Sequence, residues 1–197
     1  VSNMLARLGH NYANKTLLDI QGLSEGFRVE HLGKSPARFD LGHLNHWQEL
    51  AVRAANDVEL WNWLHHDTRS LAPKPQQAAF LDIVRSLCRF PHEAHHWASV
   101  LFSDELERST EVLDIAVNAG EAFFRTAYDA AAASPDCYDA FLDYLKKHGG
   151  AKGKGLFQPL RAALTGRLDG PELPKVYSIM EPHRLRMRLA EFAQGAQ

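Results

Sequence analysis

The chain has 197 residues, of which 45% are hydrophobic and 23% charged, and its formal charge is −2. That is enough apolar material for one large domain or two small ones, and it excludes a disordered chain. The near-neutral balance argues against a generally sticky nucleic-acid binder, and no apolar run approaches the roughly 18 residues of a membrane-spanning helix.

No secretory signal pattern opens the chain, and no membrane association is expected. The two cysteines, Cys88 and Cys137, lie far apart and in no C-x-x-C spacing. A reducing, cytoplasmic location is expected. The chain begins at Val1 rather than Met, so a fragment or a trimmed product is expected.

Helical punctuation runs the length of the sequence. Asp40 precedes a stripe of Leu41, Leu44, Trp47, Leu50 and Ala51 at spacings of three and four. Asn56 and Glu59 form a capping-box pattern ahead of "LWNWL". Pro73 and Pro75 open a helix that places Phe80, Ile83, Val84 and Leu87 on one face, and Pro91 suits the first helical position of "HEAHHWASVLF". Ser103 is positioned to cap another start. Residues 110–132 form one long amphipathic pattern. Ser134-Pro135 opens a further helix that Gly149-Gly150 ends. "LFQPLRAALTG" reads as a short helix closed by Gly166, with Pro159 tolerable only in its first turn. "GPELPKVYSIM" and "EPHRLRMRLAEFA" supply the last two. Strand-like alternation is scarce, so the expected fold is all-α, with eight to ten helices joined by short connections.

Charge is unevenly placed. Residues 103–145 carry ten acids against Arg108 and Arg125, whereas residues 146–167 carry Lys146, Lys147, Lys152, Lys154, Arg161 and Arg167 with no acid. A basic, glycine-bearing block after an acidic helical one points to a localised anion site, or to a solvated basic loop.

His92-Glu93-Ala94-His95-His96 fits H-E-x-x-H, in which two histidines one turn apart hold zinc and the glutamate acts as general base. Pro91 would put this motif in a first helical turn, where geometry is least fixed. The extended pattern needs Gly at 99 and His at 102, where the chain has Ser99 and Phe102. A helical zinc-binding protein or metalloenzyme is therefore kept only as a rival reading, and no metal site is expected. His92, His95 and His96 would lie on the exposed side of a helix whose Trp97, Val100 and Leu101 face inward. "GAKGKG" (150–155) could cradle phosphate, but it lacks the following Ser/Thr and the preceding strand of a nucleotide P-loop; an RNA backbone would suit it better.

"KGKGLFQPLRAALTGRLDGPEL" (152–173) closely resembles the C-terminal signature of bacterial glutamyl-tRNA synthetases. "VSNMLARLG" (1–9) resembles the segment after that family's KMSKS loop, and "GKSPARFDLGHLN" (33–45) its SPARFD element. The three lie in the family's order and span nearly the whole chain. The resemblance implies the tRNA-recognising half of a class I aminoacyl-tRNA synthetase, itself all-α in the family. It divides the chain into the end of a stem-contact region (1–49) and two helical anticodon-binding subdomains (50–108 and 109–197). The catalytic domain is absent from these residues, so this chain alone would be inactive and would bind no cofactor. The parent enzyme would use ATP and Mg²⁺ to attach glutamate to tRNA-Glu. A monomer is expected, with tRNA as partner and no DNA.

The resemblance also implies site residues. Arg161 matches an arginine that approaches the anticodon, where a guanidinium fork can bond or stack on a splayed base; the alternative is that it pairs locally with an acid. Lys152 and Lys154 would touch the RNA backbone, giving affinity without sequence choice. Gln158, Thr165 and Arg167, in the same signature, are further RNA-binding candidates. At or near Leu87, glutamate-specific members carry an arginine against the third anticodon base. Leucine there implies relaxed discrimination against tRNA-Gln, unless a two-residue shift brings Arg85 or Arg89 into the position.

Overall fold

A computed structural model describes residues 1–34 and 38–193. Ser35, Pro36 and Ala37, from the second family-like segment, lie outside the described residues. The described residues form thirteen α-helices and two 3₁₀ turns, Val29–His31 and Lys74–Gln76. In chain order the helices are α1 (Ser2–Leu8), α2 (Ile20–Glu25), α3 (Leu41–Ala54), α4 (Asp57–Trp63), α5 (His66–Leu71), α6 (Gln77–Leu87) and α7 (Pro91–Phe102). There follow α8 (Thr110–Ala119), α9 (Glu121–Ala133), α10 (Tyr138–His148), α11 (Lys154–Thr165), α12 (Leu173–Ile179) and α13 (Pro182–Ala193). None of them is long and apolar enough to cross a membrane. The all-α expectation holds, and the count is higher than eight to ten. The extra helices include α2 and α5, each of six residues, too short to show a helical period.

Local chemistry sets the boundaries. Asp40 Oδ1 accepts the Gly42 N–H at 2.8 Å and starts α3. Asn56 and Glu59 close a reciprocal capping box at 3.0 and 3.1 Å and start α4. Four expectations are corrected. The pattern over residues 110–132 is two helices, broken at Gly120, whose φ of 83° an L side chain rarely adopts. Ser103 ends α7 instead of opening a helix; the next start is capped by Ser109. Leu87 is 40% exposed and does not share the buried face of Phe80, Ile83 and Val84, because the last turn of α6 carries it outward. Pro159 sits deeper in its helix than expected, since α11 starts at Lys154; its ring is buried, and it costs the helix one N–H donor.

A single apolar cluster runs from Val52 to Ala193. In it α13 lies along α9, α11 packs on α8, and α6 meets α12. Met4, Leu23 and Trp47 are buried outside that cluster. There Asn3 links α1 to the following loop, donating to the Leu18 carbonyl at 2.6 Å and accepting its N–H at 3.0 Å. The Arg7 guanidinium lies 4.5 Å from the Trp47 ring centre, joining α1 to α3.

The largest polar group in the core is Arg188 on α13, only 1% exposed. Its Nη1 donates to the Val100 carbonyl at 2.7 Å and the Leu164 carbonyl at 2.5 Å, and its Nη2 to the Ser103 carbonyl at 2.8 Å. Those carbonyls lie at the C-terminal ends of α7 and α11. One guanidinium therefore caps two helices whose last carbonyls would otherwise lack donors.

Candidate nucleic-acid interface

The basic signature is built on α11 and the loop behind it. Leu156, Leu160, Ala163 and Leu164 form the buried face of this helix. Helical spacing then turns Lys154, Phe157 and Arg161 to the other side. Lys152, Lys154 and Arg167 are exposed, and Gln158 and Arg161 half-buried. Thr165 is fully buried, which corrects its place among the RNA-contacting candidates. Its Oγ1 donates to the Arg161 carbonyl at 2.8 Å and accepts the Arg167 N–H at 3.3 Å. It secures the turn out of α11 and offers no surface to a ligand.

Arg161 holds the loop after that turn. Its Nη1 donates to the Pro171 carbonyl at 2.7 Å and to the Asp169 carbonyl at 3.3 Å. Among the described residues Arg161 makes no ion pair, and its Nε and Nη2 have no hydrogen-bond partner. The guanidinium is thus anchored by one nitrogen and keeps two others, with three N–H donors, for a ligand. Burial raises the Tyr138 hydroxyl pKa, and the Arg161 charge nearby pulls it the other way.

The loop is also fixed from outside. At Gly170 a side chain would collide with the Trp97 ring of α7. The indole therefore lies against the backbone of Gly170, the first residue of "GPEL", which ties the histidine-bearing helix to the basic signature. Arg167 reaches the same side. His96 is pushed below its ordinary pKa by burial first and by the Arg167 charge second. His96, Ser99, Ser103, Glu105, Glu107 and Arg167 surround a hollow of about 250 Å³.

The H-E-x-x-H stretch is put to another use. Pro91 is the first residue of α7, and Glu93 Oε2 accepts the N–H groups of Arg89 at 2.5 Å and Phe90 at 3.0 Å. The glutamate caps its own helix and is not placed as a base. His95 Nδ1 lies 3.2 Å from Thr68 Oγ1, and His92 stacks on Phe90 with ring centres 5.8 Å apart. Among the described residues no three His, Cys, Asp or Glu side chains converge on a metal position.

The second set of candidates closes α6. Arg85 is ion-paired with Asp57 and, at 3.1 Å, with Asp82, and its Nε donates to the Ala55 carbonyl at 3.3 Å. Arg89 Nε lies 3.3 Å from Glu49 Oε2. Both arginines join α6 and its exit to α3 and α4, while Leu87 between them presents an apolar side chain. The structure brings Arg161, Thr165 and Arg167 together around one loop. No hydrogen bond or ion pair among the described residues joins them to Arg85, Leu87 or Arg89. Sequence reasoning did not foresee the Trp97–Gly170 contact or the exposed Phe157. A phenylalanine four residues before Arg161, on the polar side of the α11 pattern, was the available sign of the latter.

A family model described as an anticodon binding domain matches residues 58–193, a span from α4 to the end of α13 that contains both candidate sets. The chain belongs to the anticodon-binding domain family. It is 57% identical, over all 197 residues, to glutamate–tRNA ligase 1 of Methylococcus capsulatus, covering 42% of that protein. It is 42% identical over 187 residues to glutamate–tRNA ligase 2 of Nitrosococcus oceani, covering 95% of this chain and 40% of that one. A crystal structure of a glutamate tRNA ligase from Elizabethkingia meningosepticum has the same fold, with a TM-score of 0.82 at 14% identity over 100% of this chain and 41% of that one. The chain thus spans about two fifths of the length of the curated relatives it matches.

Proposed function

We propose that this chain is the anticodon-recognising region of a glutamate–tRNA ligase, the activation of glutamate with ATP and Mg²⁺ being carried out elsewhere in the parent enzyme. The observation that carries the reading is Arg161, anchored through Nη1 on the Pro171 carbonyl with Nε and Nη2 unengaged. A half-buried, pre-oriented guanidinium on a helix whose flanking lysines form no ion pair among the described residues suits a single-stranded RNA loop, whose splayed bases offer edges and faces together. A cytoplasmic, monomeric enzyme with tRNA-Glu as partner goes with this role.

Arg161→Ala in the parent enzyme is expected to weaken tRNA-Glu recognition by about 1–3 kcal/mol. The measurement is kcat/KM for tRNA charging; an unchanged value would remove Arg161 from the interface. The exposed Leu87, which has no donor for a base edge, supports relaxed anticodon choice. The parent enzyme should then charge tRNA-Gln as well as tRNA-Glu, and strict rejection of tRNA-Gln in parallel charging assays would sink this part of the reading.

A further inference from the structure

The connection from α10 to α11 holds a hollow of about 270 Å³ lined by Lys146, Ala151, Lys152, Gly153, Leu156 and Phe157. Its floor is apolar: Leu156 is buried, and Phe157 beside it is 39% exposed. Glycines at 149, 150, 153 and 155 provide no side chain to cover that ring. The rim is cationic. Lys146, Lys152 and Lys154 are exposed and form no ion pair among the described residues. No acid occurs between Asp143 and Asp169, although the chain as a whole is net negative. Phe157 lies one helical turn before Arg161, on the same side of α11.

We propose that this hollow is a second nucleotide subsite, in which an unstacked RNA base lies on Phe157 while its phosphate is held by Lys146 and Lys152. The inference rests on the anticodon-recognising role and extends it by one nucleotide position next to Arg161. An aromatic platform with a cationic rim is the arrangement by which single strands are held without regard to sequence. The only side-chain polar groups lining the hollow are the two lysines, which are donors alone, so it selects a nucleotide but not a base identity.

The test measures binding of the chain to a tRNA-Glu transcript and to a transcript with an altered anticodon. Phe157→Ala should weaken both by the same factor, roughly tenfold, while Phe157→Trp keeps the affinity. Lys146→Ala and Lys152→Ala should each lower the slope of log affinity against log salt by about 0.7. Phe157 is partly exposed, so its removal leaves the core intact, and circular dichroism verifies the fold. Unchanged affinity in Phe157→Ala overturns the subsite; if Arg161→Ala still weakens binding, the anticodon reading stands without it. Loss confined to the cognate transcript overturns the base-independence. A wild-type chain that binds no tRNA overturns both. An acidic peptide that competes as well as RNA would overturn the assignment in favour of a protein partner.

Discussion

Arg188→Met should lower the stability of the chain by about 3–5 kcal/mol, since three buried carbonyls lose their donor at about 1–3 kcal/mol each, partly offset by the easier burial of an apolar side chain. Burial pushes the guanidinium pKa down to about 10, with the Arg184 and Arg108 charges adding to the effect. It therefore stays charged at neutral pH, and that charge is tolerated through its bonds to three carbonyls. Methionine fills much of the volume but donates nothing. The carbonyls of Val100, Ser103 and Leu164 would then be left in a dry core at the negative ends of two helices. Arg188→Lys should cost less, because an ammonium can still donate, although without the planar fork that reaches both helix ends. Urea unfolding checks this through the midpoint. A domain with about 5–15 kcal/mol in hand loses a large share of it, and a midpoint equal to wild type would show that the clamp is dispensable.

The fold class was legible because its signals are local. Asp40, the Asn56–Glu59 pair and Pro91 start helices through hydrogen bonds a few residues long, so spacing alone reveals them. Gly120 was hidden because apolar residues on both sides keep a helical rhythm through it, and only the backbone angle shows the break. Leu87 was misplaced because periodicity cannot tell where the covering neighbours of α6 stop. The site divides in the same way. The resemblance pointed to Arg161, Lys152 and Lys154 as candidates; Lys154 and Arg161 lie on α11 and Lys152 in the loop before it. Thr165 was assigned to the interface since a hydroxyl in a signature can serve either a ligand or a turn; its complete burial decides for the turn. The bonds from Arg188 to α7 and the Trp97–Gly170 contact could not be anticipated, because each joins segments more than 70 positions apart in the chain.

That last contact gives the second large effect. In Gly170→Ala the new Cβ would overlap Trp97 Cη2 and meet Cζ2 at 2.6 Å, at a φ of 115° that L side chains rarely adopt. Backbone strain and overpacking each cost about 1–3 kcal/mol, so a loss of roughly 2–6 kcal/mol is expected if loop and helix keep their places. Trp97 is 9% exposed and has little room to swing away, so the easier response is for the loop to lift. Lifting the loop carries off the Pro171 and Asp169 carbonyls that orient Arg161. The cost would then move from stability to recognition: a small change in the unfolding midpoint with at least a tenfold loss of tRNA affinity, equivalent to about 1.4 kcal/mol. A double-mutant cycle separates this from general damage. Trp97→Leu removes the ring edge that meets the new methyl, so its cost and that of Gly170→Ala should combine to less than their sum. Strict additivity of the two, in both unfolding and tRNA binding, would show that the indole does not set the position of the loop.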